Sequence, residues 1–140
     1  MKIIECSAAL PAQDMARARK FYEQKLGLTA EETGPDGSVI YKMGNAGVLV
    51  FPSSGQPSGT HTQLALDVED VTATVSELKK SGVKFEEYDF PGLKTKDGIA
   101  EMGDGKGAWF KDSEGNLIAI GEGVRARRAA SERAAATNGR

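Results

Sequence analysis

The sequence predicts an α+β fold made of two copies of one module, each a strand, a helix and three further strands. Two observations predict this repeat. Apolar residues alternate at period two over residues 3–10 and again over 61–68, as they do in half-buried strands. Each segment leads to an aspartate that can cap a helix, Asp14 or Asp70, and these stand 56 positions apart. A chain of 140 residues is expected to form one domain with a proper core.

Module one covers residues 3–51. After the strand 3–10, Asp14 is expected to begin a helix that ends at Leu26, before Gly27. The apolar positions that form the buried side of this helix are Met15, Ala18, Tyr22 and Leu26. Three strands are then predicted at 28–33, 38–43 and 46–51, separated by glycine-containing turns.

Module two covers residues 61–121 and follows a Ser/Gly/Pro-rich linker at 53–59. The strand 61–68 leads to a helix over 70–81, whose apolar face is Val71, Val75 and Leu78. Later elements are predicted as a strand at 84–89, an irregular glycine-rich piece at 91–105, and strands at 106–111 and 117–121 around the turn 112–116. Such a long loop is often functional.

The composition changes at residue 122. The tail 122–140 has five arginines and two glutamates, so it carries +3 while the rest of the chain carries −5. Alanine and arginine favour a helix, but no apolar stripe is available for docking. We expect a frayed or disordered tail; the alternative is a helix that lies on a partner subunit or an acidic surface.

Composition also limits the class of protein. A net charge of −2, without a basic aromatic platform, argues against a nucleic-acid partner. No apolar run reaches transmembrane length, so no membrane association is expected. The single cysteine, Cys6, excludes an internal disulfide and indicates a reducing compartment, which we take to be the cytoplasm. We expect Cys6 to be buried against the helices.

Several motifs together resemble the vicinal-oxygen-chelate superfamily, which includes glyoxalase I, bleomycin-resistance proteins and extradiol dioxygenases. They are D-M at 14–15 with F-Y at 21–22 and L-G at 26–27, V-E-D-V at 68–71, and the closing hairpin W-F-K-D-S-E-G-N-L-I-A-I at 109–120. The resemblance implies an eight-stranded, incompletely closed sheet around a cavity, with the helices outside. It also implies a homodimer and, in the enzymes, a divalent metal held by residues of the first and last strands of each module.

The positions that the resemblance assigns to metal ligands are here Ser7, Leu49, Gln63 and Ala119. Two hydrocarbon side chains, a hydroxyl and one amide cannot replace the water shell of a divalent ion. We therefore predict no metal and no cofactor. A shifted site that uses Glu5 and His61 is the alternative, although a His–Glu pair alone is incomplete.

The strand alternation predicts the lining of the cavity. The expected residues are Glu5, Ser7, Ala9, Leu49, Phe51, His61, Gln63, Ala65, Leu117 and Ala119. Such an apolar surface with a few polar groups suits a small molecule. The residues expected to bind it are Ser7, Phe51, His61, Gln63 and Trp109, the only tryptophan.

Three functions remain open at this point. The favoured one is a metal-independent protein that sequesters an apolar or aromatic small molecule, as bleomycin-resistance-like members do. The second is a glyoxalase-like lyase, isomerase or dioxygenase with a non-standard site, in which Glu5 and His61 would be the catalytic candidates. The third is an interaction subunit that acts through its basic tail.

Overall fold

The computed structural model describes residues 1–103 and 105–139, with the backbone alone over 124–130. It confirms the α+β class, but ten strands form two separate sheets instead of eight strands in one. The strands are β1 Ala8–Ala12, β2 Ala30–Thr33, β3 Val39–Met43, β4 Ala46–Pro52, β5 Thr62–Val68, β6 Asp89–Phe90, β7 Leu93–Lys96, β8 Ile99–Met102, β9 Gly105–Lys111 and β10 Leu117–Glu122. The helices are α1 Met15–Lys20, the π-helical turn Phe21–Lys25, α2 Val71–Lys80 and α3 Val124–Asn138.

The two modules share a strand order. Sheet A runs β1-β4-β3-β2 and sheet B runs β5-β10-β9-β8-β7-β6. In each sheet the first strand of the module lies parallel to its last strand, and the other pairs are antiparallel. The strands β1 and β5 therefore stand at the edges of their sheets. Within the described chain, neither sheet closes into a barrel.

Both predicted helix caps are present. The carboxylate of Asp14 accepts the Arg17 N–H at 3.0 Å, and that of Asp70 accepts the Ala73 N–H at 2.9 Å. These oxygens satisfy amides that an α-helix leaves without partners in its first turn. Of the helices in the described chain, none is long and apolar enough to cross a bilayer.

One face of each sheet packs against the helices and forms a shared core. In sheet B, Leu64, Ile118 and Phe110 are paired across neighbouring strands, and all three are buried. The rings of Phe21 and Phe110 lie 6.3 Å apart, so the first helical segment also contacts module two. The alternation along each strand leaves the opposite face of each sheet uncovered by these helices.

A buried polar cluster holds the turn 112–116 against module one. The Tyr22 hydroxyl donates to the Asp112 carboxylate, which also accepts the backbone N–H groups of Glu114 and Asn116. The Asn116 amide donates to the Pro11 carbonyl at 3.0 Å. Burial, together with the neighbouring Asp112, raises the pKa of Tyr22 far above its usual range. The hydroxyl therefore keeps its proton and remains a donor.

Glu114 is the second carboxylate of this cluster. It accepts the Asp14 N–H at 2.9 Å, the Nε–H and Nη2–H groups of the Arg17 guanidinium at 2.7 and 3.0 Å, and the Ser113 hydroxyl at 2.8 Å. Burial opposes its ionisation, but these hydrogen bonds outweigh burial and lower its pKa to about 2. Glu114 thus stabilises the N-terminus of α1 from the opposite module.

The first strand is shorter than the predicted 3–10. Parallel pairing aligns Ala8 with Val48, and β4 begins at Ala46, so residues 1–5 have no β4 backbone opposite them. Ile3 and Ile4 are 67% and 83% exposed. The expectation that Cys6 is buried is wrong: it is exposed, because it lies outside the paired strand.

The predictions for residues 84–105 also need correction. The strand expected at 84–89 is reduced to one bridge between Phe85 and Phe110 and the two residues of β6. The piece expected to be irregular, 91–105, contains β7 and β8. Its glycines mark the turns between these short strands, since Gly92 and Gly98 have φ angles of 91° and 83°.

The tail differs from the expected frayed or disordered segment over residues 124–138. Its backbone is helical over Val124–Asn138, and residues 131–139 are exposed. The high helix propensity of alanine and arginine explains the conformation without a packed apolar face. The alternative of a docked helix stays a prediction.

Candidate functional site

The uncovered face of sheet B carries a patch of small residues. Ala65 pairs with Ala119, which pairs with Trp109 on the next strand. One step along the same face, Gly121 pairs with Gly107. We call Ala65, Ala119, Gly107 and Gly121 the shelf. With strands about 4.8 Å apart and same-face residues about 6.7 Å apart, it is about as large as a planar two-ring molecule.

An aromatic cluster stands at one side of the shelf. Trp109 and Tyr88 meet edge to face, with ring centroids 5.6 Å apart, and Phe90 lies 5.9 Å beyond Tyr88. The Glu86 N–H donates to the Trp109 carbonyl at 2.8 Å and fixes the segment that carries Tyr88. Burial, with a smaller effect of Glu86, raises the pKa of Tyr88. A flat ligand on the shelf would thus have an aromatic wall beside it.

The shelf opens into a cavity of about 1060 Å³ that surrounds the edge strand β5. Apolar residues of module one complete its wall; they are Leu26, Leu28, Met43, Ala46 and Val48. Gly107 leaves room for its neighbours, because a Cβ placed there would lie 2.7 Å from the Met102 sulfur and 3.6 Å from the Trp109 ring, so these two side chains cover this corner of the shelf. The cavity is large enough for a drug-sized molecule.

Few charged groups line this cavity. The Glu122 carboxylate accepts the Val71 N–H at 2.8 Å, and the Lys106 ammonium donates to the Thr72 hydroxyl at 3.2 Å. Asp67, the third, lies on the same face of β5 as Ala65. An apolar wall with so few charges favours a mostly uncharged ligand.

The predicted binding residues are divided between the two sheets. Trp109 and Gln63 belong to sheet B, as does Ala119. Phe51 is in sheet A, and Ser7 precedes its first strand. Ser7 lines a second cavity of about 400 Å³ together with Glu5, Glu31, Glu32 and Lys42. The expectation that Leu117 lines a cavity is wrong, because this side chain is 3% exposed and enclosed by the protein.

The catalytic candidates do not meet. His61 lies just before β5, where its Nδ1 is 2.6 Å from the Ser58 hydroxyl of the linker. Glu5 lies in the smaller cavity beside sheet A. Across the described part of the chain, no hydrogen bond or ion pair joins Glu5 to His61.

The residues at the metal positions do not fit a divalent ion. The set comprises the hydroxyl of Ser7, the amide of Gln63 and the hydrocarbon side chains of Leu49 and Ala119, so it contains no charged donor. Among residues 1–103 and 105–139, no group of three or more His, Cys, Asp or Glu is placed to hold a metal. No step through a metal is therefore derived for this chain.

Some site residues were not found from the sequence. The sequence predicts Tyr88 only as part of the strand 84–89, and it predicts Gly107 and Gly121 only as parts of the strands 106–111 and 117–121. A strand containing Gly105 and Gly107 beside Trp109 is a usable signal, because glycine in a strand often marks the close approach of a ligand.

Comparison with known proteins agrees with this architecture. The profile of the Glyoxalase/Bleomycin resistance protein/Dioxygenase superfamily matches residues 6–120. No curated protein sequence matches the chain. Among solved structures, the fosfomycin resistance protein FosX from Listeria monocytogenes has a TM-score of 0.66 at 13% identity, covering 89% of this chain and 96% of that one.

Two further structures share the fold. A glyoxalase/bleomycin resistance protein/dioxygenase from Alicyclobacillus acidocaldarius has a TM-score of 0.63 at 18% identity, covering 84% of this chain and 89% of its own. Lactoylglutathione lyase from Agrobacterium tumefaciens has a TM-score of 0.56 at 23% identity, covering 87% and 93%. The paired modules and the profile match over most of the chain lead to one conclusion: the chain belongs to the Glyoxalase/Bleomycin resistance protein/Dioxygenase superfamily.

Proposed function

We propose that the protein is a metal-independent binding protein that sequesters a planar, mostly apolar small molecule. The observation that carries the proposal is the shelf beside Trp109 in a cavity of about 1060 Å³. The small residues leave room for a ring system, and the indole offers a face or an edge for aromatic contact. The lack of charged donors at the metal positions supports binding without a metal.

The test is calorimetric titration with 2-acetylnaphthalene, a planar two-ring probe. We expect binding by the wild-type chain that is unchanged by a chelator. Trp109→Ala should weaken binding at least about tenfold, since aromatic contacts and apolar burial together exceed about 1.4 kcal/mol. Trp109→Phe should retain most of it. Phe90→Ala is the matched control, because Phe90 is 53% exposed at the far end of the aromatic cluster.

Two results would contradict this proposal. One is the absence of binding across a panel of planar apolar compounds. The other is binding that survives Trp109→Ala but disappears on metal removal, which would favour the glyoxalase-like enzyme. Elemental analysis of protein purified without chelator accompanies the titration.

We also propose that the protein is a homodimer. Supporting this are the two exposed isoleucines of the N-terminal segment, Ile3 and Ile4, and the apolar cavity beside the edge strand β5. Exposed apolar side chains and an unpaired sheet edge are features that a second chain can bury. Light scattering should give twice the chain mass, and Ile3→Ser with Ile4→Ser should shift it towards one chain. Lys2→Ser is the control.

A reducing compartment remains part of the proposal. Cys6 is exposed and is the only cysteine of the chain. An accessible thiol of this kind would form intermolecular disulfides in an oxidising environment. We therefore propose a cytoplasmic location, which fluorescence microscopy of a tagged protein would test.

A further inference from the structure

Two side chains meet over the Gly107 corner of the shelf. A Cβ placed on Gly107 would lie 2.7 Å from the Met102 sulfur and 3.6 Å from Cη2 of Trp109. Because both distances start from the same point, the sulfur and the outer edge of the indole are within about 6 Å of each other. This separation suits a sulfur–aromatic contact, in which the sulfur often faces the edge of the ring. Both side chains line the large cavity, so the protein itself occupies this corner of it.

Met102 has few neighbours that would hold it in this position. It is the last residue of β8, and its apolar side chain is 49% exposed. Its partner on β9 is Gly105, and the next β9 residue on the same face is Gly107, so neither presents a side chain to the thioether. A methionine side chain is unbranched and has three rotatable bonds. Rotation about these bonds can therefore carry the sulfur away from Gly107 without a change in the backbone.

The position of Met102 divides the shelf into an open part and a covered part. A Cβ placed on Gly121 would approach only the Lys106 carbonyl, at 3.9 Å, so Gly121 is open where Gly107 is covered. The cavity also continues past Ala65 towards module one, which leaves room for a two-ring ligand beside Met102. A wider ring system that keeps its contact with the indole extends over Gly107. Met102 must then rotate away.

We propose that Met102 is a specificity-determining residue of the ligand site: its thioether covers Gly107 beside Trp109, and planar ligands wider than two fused rings must displace it. This inference rests on the proposed function and defines which ring systems the site accepts. Displacement gives up one sulfur–aromatic contact, which lowers the affinity for a wide ligand by about 2- to 10-fold without excluding it. Flexible methionine side chains of this kind let one binding surface accept molecules of several shapes.

The first experiment compares 2-acetylnaphthalene with 2-acetylanthracene, which carries the same substituent and one more ring. The fluorescence of Trp109, the only tryptophan, reports the binding of both probes. Met102→Ala removes the thioether and keeps the indole, so the ratio of the two association constants should shift towards the three-ring probe by about 2- to 10-fold. Glu101→Ala is the matched control, because Glu101 is the exposed neighbour of Met102 on β8 and lies on the other face of the strand. It should leave the ratio unchanged.

A second measurement uses the wild-type chain alone. Hydrogen peroxide transfers one oxygen atom to a thioether and gives a sulfoxide and water, and mass spectrometry of the peptides follows the rate. The two-ring probe, which lies beside Met102, should slow the oxidation of this residue by about twofold or more. The three-ring probe turns the thioether outward and should not protect it. The fully exposed Met1 is the control, and its oxidation should not respond to either probe.

The outcomes separate this inference from the proposed function. An unchanged ratio in Met102→Ala, a shift of the ratio towards the two-ring probe, or equal protection of Met102 by both probes would overturn the role of Met102 and leave the proposed function standing. If neither probe binds the wild-type chain, the proposed function itself fails, and the role of Met102 fails with it.

Discussion

Replacing the buried carboxylate of Glu114 by an amide should destabilise the protein in a pH-dependent way. Glu114→Gln keeps the shape of the side chain but removes the charge that Arg17 contacts at 2.7 and 3.0 Å. It also gives the site an NH₂ group, where the Asp14 N–H and the guanidinium offer only donors. One donor must therefore lose its partner in a place where the glutamate side chain is completely buried.

The size of the effect follows from the pKa of this group. A pKa lowered from 4.5 to about 2 corresponds to about 3 kcal/mol at neutral pH, at 1.36 kcal/mol per unit. Arg17 is 54% exposed, and solvent screening reduces its share. We expect a loss of about 2 to 3 kcal/mol in the free energy of unfolding at pH 7 for Glu114→Gln.

The sign of the pH dependence is fixed by the direction of the shift. The native pKa lies below the unfolded one, so the carboxylate stabilises the fold fully above about pH 5. This contribution is lost as the pH falls towards 2, so the difference between variant and wild type should shrink to about 1 kcal/mol at pH 3.

Urea unfolding followed by circular dichroism at pH 7 and pH 3 measures both values. Glu77→Gln is the control, since Glu77 is an exposed carboxylate of α2 and its replacement should change stability by less than about 0.5 kcal/mol. The reasoning is refuted if Glu114→Gln matches wild type within that margin, or if its loss at pH 7 persists unchanged at pH 3.

Two further predictions concern the backbone. Gly98→Ala should cost more stability than Gly92→Ala by about 1 kcal/mol or more: both residues have positive φ, but only at Gly98 would a Cβ lie 2.7 Å from the Phe85 Cβ. Equal melting temperatures for the two variants would contradict this. Asp70→Ala should lower the free energy of unfolding by about 1 kcal/mol through loss of the α2 cap, whereas Asp70→Asn should retain most of the stability. Thermal unfolding of the two variants measures this, and an Asp70→Ala variant as stable as wild type would contradict it.

The repeat and its helix signals were predictable because they are local. Asp14 and Asp70 cap helices through amides three residues away, and the alternation of strands such as β5 depends on neighbours two residues apart. Trp109 is predicted to contact a ligand from its residue type, and the structure places it beside the shelf of sheet B. That it binds a ligand remains a proposal.

The length of β1 and the exposure of Cys6 were not predictable in the same way. The alternation of residues 3–10 extends to residues before Ala8, but a strand needs a partner, and β4 begins only at Ala46, so residues 3–5 have no β4 residue opposite them. Similarly, the glycines of 91–105 suggest an irregular loop, yet the residues between them form β7 and β8, which pair with each other and with β9. The strands β7 and β8 have four residues each, which is too short for period-two alternation to be evident.

The sequence by itself determined the α+β class, the duplicated module, the helix caps and the absence of charged ligands at Ser7, Leu49, Gln63 and Ala119. These properties depend on residue type and on spacing within one element. Only the tertiary structure decided which side chains meet: it separated Glu5 from His61, combined Trp109 with Tyr88 and the shelf, and placed Met102 over Gly107. Those outcomes depend on the register and packing of strands far apart in the chain, which local periodicity does not fix.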